Sequence, residues 1–407
     1  MNEYEIIGDI RGRIMIPTPV GEIDLLKLNE YSPSFDKLKS QISSIIINVK
    51  DPMIESLIPA KGNGIDDDSI ALQGMINYLR NIGGILIFPR GLYKCLSTLT
   101  LYDGITLKGI GKNPVNGNPS RLDFSDITGV NSGISMANAS DINIEDLYIT
   151  GRKTGSGHEI NIMGNARRIN ISRVIINTKT TGAGISTGSW LIVSSINNVV
   201  VVGAGTGFLI TNASTSVNIH NCYANVCNIG YQITGTYCCL SCCASDGNTL
   251  YGYVIQSASQ IGLYSCGSEA NGRGSLVILN STGITIDCFR SHINNTSAST
   301  FFPSFLDIRN SNNIIVSNCR DSSPNTSTAF SVTSTELNAG KNILFINSNF
   351  EKPIHTTLEN TPAINQSFKI GVVSNTETSN NMLFVDSADN RLKFKNMAGQ
   401  IQTITVV

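Results

Sequence analysis

Two carboxylic acids, Asp246 and Glu269, stand 23 residues apart, and the same interval separates Cys243 from Cys266, three positions before each acid. If that interval is one structural repeat, the acids lie side by side on adjacent strands with Cα atoms about 5 Å apart. Carboxylates that close repel when both ionise. A separation of about 5 to 5.5 Å suits retaining glycoside hydrolysis, with one acid as nucleophile and the other as general acid/base. The same offset extends the column from Asn225 to His292. Arg290 and Arg320 share a neighbouring offset, and Tyr264 and Asp287 another, so these four are placed to bind substrate, the arginines by neutralising an acidic sugar. His292 and Tyr264 are candidate bases for β-elimination, a different chemistry at the same place. Polar residues after a strand also serve as ordinary solvated turns, so the assignment depends on the repeat.

The repeat is visible from Ile105 onward as the template apolar, any, apolar, any, any, apolar. Its copies start at Ile105, Leu122, Ile142, Ile169, Leu191, Val217, Cys238, Ile261, Ile284, Ile314 and Ile343. Middle copies are followed by a further alternating run, often opened by glycine: Gly207-Phe208-Leu209-Ile210, Gly230-Tyr231-Gln232-Ile233, Gly252-Tyr253-Val254-Ile255 and Ser275-Leu276-Val277-Ile278. Period-two alternation broken by Asn, Ser and Gly turns excludes a helical heptad and reads as two or three short strands per coil. One such coil cannot bury its apolar side chains, but parallel stacking places like on like and encloses them. The fold class expected is all-β: a right-handed single-stranded parallel β-helix spanning 45–360, with an N-terminal capping helix and a small C-terminal β-rich module over 361–407.

Composition agrees with that class and excludes others. Charged residues are 14% of the 407 and glycines number 37, which favours strands and tight turns over charged amphipathic helices. A formal net charge of −1 supplies no general attraction to nucleic acid or to an anionic membrane. No stretch reaches the roughly 18 apolar residues of a membrane span, so no membrane insertion is expected. The start, Met1 to Glu5, lacks a basic region leading into an apolar core, and the expectation is a soluble chain without a secretion signal. Ten cysteines lack a zinc-ligand frame. Several fall on inward template positions and read as reduced, buried small hydrophobes. Cys238-Cys239 and Cys242-Cys243 have superficial metal spacing but belong to one coil, so no metal and no cofactor are expected.

Ahead of the coils, residues 62–93 read GNGIDDDSIALQGMINYLRNIGGILIFPRGLY. Asp66, Asp67, Asp68 and Ser69 supply N-cap oxygens, and Leu72, Met75, Ile76 and Leu79 follow at helical spacing, which predicts a helix over about 68–81. Gly83-Gly84 stops it before the strand Ile85-Leu86-Ile87-Phe88. This segment resembles the opening motif of the pectate-lyase-like β-helix superfamily: Gly-Asp-Gly, Asp-Asp-Thr, a helix, Gly-Gly and a Phe-Pro strand. Here Gly62-Asn63-Gly64 and Asp67-Asp68-Ser69 occupy the first two places. The resemblance covers about 45–350, and the superfamily includes polysaccharide lyases, glycoside hydrolases and bacteriophage tailspikes. Residues 366–407, with Met382-Leu383-Phe384-Val385-Asp386 and Arg391-Leu392-Lys393-Phe394-Lys395, leave the coil period and are similar to small C-terminal modules of phage tail proteins.

The resemblance implies a homotrimeric phage tailspike, located in the virion and acting extracellularly at the host surface, that binds and depolymerises a host surface polysaccharide. Other phage tail or baseplate proteins are then its partners. Residues 1–44, broken by Pro17, Pro19 and Pro33, correspond to the attachment segment of such proteins. A non-enzymatic receptor-binding or structural tail protein, and a cellular polysaccharide lyase or epimerase, are the alternatives. His158-Glu159, after the Gly-rich turn from Gly151 to Gly157, resembles part of the polygalacturonase Gly-His-Gly motif. Glu159 replaces its second Gly, so that family's catalytic residues are not carried over. His220 reads as a surface residue and Trp190 as rim packing.

Overall fold

The computed structural model describes residues 45–111, 119–211, 213–296 and 304–323, together with short strands and single residues outside those ranges. The chain divides into two compact units, Met1–Val199 and Val200–Val407. Both are parallel β-solenoids in which each coil contributes one strand to each of three sheets.

In the first unit, Ile105–Gly109, Asn143–Glu145, Asn170–Ser172 and Leu191–Asn197 pair in parallel, with Leu107, Ile144, Ile171 and Ile196 in one inward column. All four are buried, each contributing about 1.5–3 kcal/mol relative to exposure. Three template copies are corrected by this register. Leu122 and Phe124 are buried but belong to the second side of a long coil, the strand Ser120–Asp123 and its exit. Ile110 is exposed at the end of its strand. The copy at Leu191 is displaced by three residues: the true column is Ile142, Ile169, Ser194, and Val193 points outward at φ 49°. Ser194 escapes an apolar template because its hydroxyl is satisfied locally, donating to Ile192 O at 3.0 Å and accepting from Ile169 N at 3.0 Å.

The cap helix, α1, spans Ser69–Leu79 and buries Leu72, Met75, Ile76 and Leu79. Its start differs from the expectation in detail. Asp68 stands at the N-cap but makes no side-chain cap bond. Its buried carboxylate instead accepts from Lys61 N at 2.6 Å and Gly62 N at 3.0 Å, stapling the preceding turn. Asp67 takes the first helical N–H, that of Ser69, at 2.9 Å. Gly83, at φ +70°, accepts the left-handed conformation that ends the helix and returns its N–H to Leu79 O.

The described strands of the N-terminal segment, Ile7–Gly8, Ile14–Thr18 and Gly21–Asp24, form an antiparallel sheet. Pro17 lies inside the middle strand instead of breaking it, because Ile7–Gly8 reaches only Ile14 and Met15 on that side. The rest of 1–44, including Pro19 and Pro33, is outside the described residues. At the other end Met382–Asp386, Leu392–Lys395 and Ile401–Thr403 pair antiparallel, as the departure from the coil period leads one to expect.

The second unit explains the template. Between the first and second sheets one residue per coil turns left-handed: Asn221, Cys242, Ser265, Cys288 and Asn318, at φ 50–54°. That reversal is why the third apolar position follows two free ones. A second bend carries Val226, Gly247, Ala270 and Ile293, all at φ 51–60°. A β-branched residue is strained there. Val226 is 60% exposed, so little packing is at stake. Val226→Asn should therefore raise stability by about 1 kcal/mol, read as a higher thermal unfolding midpoint; an unchanged or lower midpoint would contradict the strain argument.

Candidate functional site

The second sheet of this unit is built from three-residue strands: Tyr223–Asn225, Ala244–Asp246, Gly267–Glu269, Arg290–His292 and Arg320–Ser322. Each carries two outward side chains flanking one inward. The third positions stack as Asn225, Asp246, Glu269, His292 and Ser322, in the register the 23-residue interval predicts. Adjacent Cα atoms in such a column are about 4.8 Å apart. Cys243 and Cys266 stack immediately before these strands, both buried. Arg290 and Arg320 are register partners, as are Tyr264 and Asp287.

The first outward positions run Tyr223, Ala244, Gly267, Arg290, Arg320. Ala244 and Gly267 are small, so the face is hollow between Tyr223 and Arg290. A groove of about 280 Å³ results, lined by Tyr223, Asp246, Glu269, Arg290 and His292 above a floor that includes Ser245 and Ser268. Tyr264 and Asp287 are not among its lining residues. They sit on the first sheet across the bend at Ser265 and Cys288, where the Tyr264 ring lies over Gly262. Asp287 accepts from Ser317 Oγ at 2.6 Å and Asn318 Nδ2 at 2.8 Å, contacts that hold its carboxyl below the usual range.

Within the groove the two acids are held differently. Asp246 Oδ2 accepts from Tyr223 Oη at 2.8 Å and Asn225 Nδ2 at 3.4 Å. Burial and the Asp246 contact push the Tyr223 phenol up to about 12, so it stays protonated as a donor. The more exposed Glu269 makes no side-chain hydrogen bond among the described residues. His292 Nδ1 lies 3.0 Å from Ser322 Oγ, leaving Nε2 for proton transfer. Tyr223 is the groove residue that sequence reasoning missed. Its offset is that of Arg290 and Arg320, and following that column back three more coils from Arg290 would have reached it.

Beneath the site runs a buried polar ladder. Ser245, Ser268 and Ser291 are the inward residues of the three strands, and Asn248, Asn271 and Asn294 follow the next bend. Asn248 Nδ2 donates to Asn271 Oδ1 at 2.7 Å, and Asn271 Nδ2 to Asn294 Oδ1 at 2.8 Å. Each amide also donates to the serine of its own coil at 2.8–3.0 Å. The third sheet closes on this ladder through glycine: a Cβ at Gly230 would lie 2.2 Å from Ser245 Oγ. Outside the ladder, Phe208, Tyr231 and Tyr253 stack with centroids 4.8 Å apart.

The other candidates lie elsewhere. His220 is exposed with Nδ1 2.9 Å from Ser241 Oγ, and Trp190 is 53% exposed. All ten cysteines are free and seven are buried; burial pushes Cys227 and Cys238 up to about 11. Glu159 and Arg152 form a fully buried ion pair at 3.0 Å, with Thr178 Oγ1 donating to Glu159 Oε1 at 2.7 Å. The neighbouring His158 accepts Ala183 N on Nδ1 at 2.9 Å. Burial and the Arg152 charge lower its proton affinity. The unfolded chain therefore takes up a proton that the folded chain refuses, and stability falls as pH drops below about 6.5. His158→Gln should flatten that part of the stability–pH curve in chemical denaturation; an unchanged slope between pH 7 and 5 would refute the assignment.

No protein-family model matches the chain, and no curated protein matches it either. Solved structures do. The A-module of the mannuronan C-5 epimerase AlgE4 from Azotobacter vinelandii superposes with TM-score 0.56 at 15% identity, over 79% of this chain and 100% of that one. Pre-mature gene product 12 of bacteriophage phi29 gives 0.53 at 17%, over 76% of this chain and 49% of its own. The tailspike gp49 of Acinetobacter baumannii bacteriophage Fri1, a capsular polysaccharide depolymerase, gives 0.51 at 11%, over 78% and 63%. At these identities what is shared is the architecture, and on that evidence the chain is a parallel β-helix.

Proposed function

We propose that this chain is a phage tail protein whose β-helix binds and depolymerises a host surface polysaccharide such as capsule, lipopolysaccharide O-chain or teichoic acid. The observation that carries the reading is the groove in which Asp246 and Glu269 occupy adjacent coils above a floor of small residues. Asp246, held by Tyr223 and Asn225, is the positioned nucleophile. It attacks the anomeric carbon while Glu269 protonates the departing glycosidic oxygen. Glu269, now a carboxylate, then takes a proton from the water that displaces Asp246, returning both groups to their starting forms. Similarity of fold to a capsular depolymerase tailspike supports this choice of substrate class. The sequence resemblance to tailspikes adds to this reading a homotrimer, with 1–44 as its attachment to other tail or baseplate proteins. Trimer avidity would multiply many weak sugar contacts.

Incubation with host capsule or cell-wall polymer should yield shorter chains with new reducing ends. Intact polymer from a host that the protein binds would leave the receptor-binding reading. A lyase or epimerase reading draws on one specific feature: His292, with Nε2 available, shares the groove with Tyr223. Abstraction of the proton beside a uronate carboxyl would then precede elimination or reprotonation. Elimination products absorb in the ultraviolet through their new double bond, and hydrolysis products do not.

A further inference from the structure

Charge is arranged along the groove in one direction. On the second sheet of the second unit, Tyr223 stands at one end of the hollow and Arg290 at the other, with Arg320 its register partner on the next strand. Two guanidinium groups thus leave neighbouring strands about 4.8 Å apart at Cα. Like charges directly opposite one another destabilise a sheet. Two other exposed arginines are matched: Arg168 meets Asp141 at 2.6 Å, and Arg173 meets Asp146 and Glu145, each at 2.7 Å. No ion pair reaches Arg290 among the described residues, although Glu269 lies in the same groove. With a net charge of −1, the pair is not the by-product of a basic chain.

We propose that Arg290, with Arg320 beside it, grips an anionic substituent on the sugar next to the cleaved bond, so that the polymer is an acidic polysaccharide. This deepens the depolymerase reading and rests on it for the direction of the chain. With Asp246 under the anomeric carbon and Glu269 protonating the bridging oxygen, the departing sugar extends over Glu269 toward Arg290. A planar guanidinium fork matches the oxygens of a carboxylate, sulfate or phosphate, and two adjacent forks can share one.

The test is affinity electrophoresis of the full chain in gels cast with hyaluronate, dextran sulfate or plain dextran, which reads binding without requiring cleavage. Retention is expected in one or both acidic gels and not in dextran; the gel that retains the chain identifies the anion. Arg290→Met should weaken the apparent affinity roughly ten- to a hundredfold, Arg290→Lys should keep part of it, and Arg168→Met should leave it unchanged. Equal retention in dextran, no retention by either acidic polymer, or indifference to Arg290→Met would overturn the proposal. If these binding results hold while Asp246 and Glu269 variants still cleave, the acid pair is wrong and the anion site stands.

Discussion

Replacing Glu269 by Gln will lower depolymerisation of the cognate polymer by about 10²- to 10⁴-fold while leaving binding within a few-fold. Gln keeps the size and polarity of the side chain but cannot give up a proton to a departing oxygen. Glu269 has no hydrogen bond to lose among the described residues, so the fold should be undisturbed. Asp246→Asn should be at least as damaging, because it removes the nucleophile itself while the Tyr223 donor still finds an oxygen. Initial rates of reducing-end release are the measurement. If either variant keeps a tenth of the parent rate, the acid pair is not the machinery. Retention of anomeric configuration in the first-formed product, followed by NMR, is the companion result, since adjacent coils hold the acids too close for an inverting water.

Asn271→Ala should cost about 3–5 kcal/mol of stability, the largest effect of any single substitution in the ladder. Its carbonyl oxygen accepts both Asn248 Nδ2 at 2.7 Å and the backbone N–H of Asn248 at 3.1 Å. Its amide serves Ser268 at 2.8 Å and Asn294 at 2.8 Å. Removing it strands a buried backbone donor, which costs about 1–3 kcal/mol, and deletes several bonds worth about 1 kcal/mol each. Asn218→Ala, on the exposed face of the first sheet, is the control and should stay within about 0.5 kcal/mol. The shift in urea midpoint decides: equal small changes at both positions would mean that the ladder is not a source of stability.

The candidate site was legible in the sequence because the coils starting at Cys238 and Ile261 are both 23 residues long, so residues at equal offsets become neighbours without further information. The same arithmetic would have exposed Asn248, Asn271 and Asn294, also 23 apart. Reading polar positions after the third apolar residue as turns hid them, when three-residue strands begin there. At Leu191 the reading slipped because Ser194 fills an apolar slot while satisfying its own hydroxyl, which no hydropathy pattern reports. Arg152 and Glu159 could not be paired from sequence, since their contact closes an irregular loop within one coil, where neither the period-two nor the coil-to-coil spacing applies. Tyr264 and Asp287 were placed beside one another by spacing, but spacing says nothing about the intervening left-handed bend that turns them onto another face.

The brevity of those strands has a consequence for how such a molecule can change. Three storeys of the second unit each offer two outward letters, Ala and Asp on one, Gly and Glu on the next, Arg and His above, while the serine between them keeps its grip on the ladder. Rewriting a pair of letters alters the outward surface and leaves the masonry untouched. A change in the chemistry of this face can therefore proceed one storey at a time.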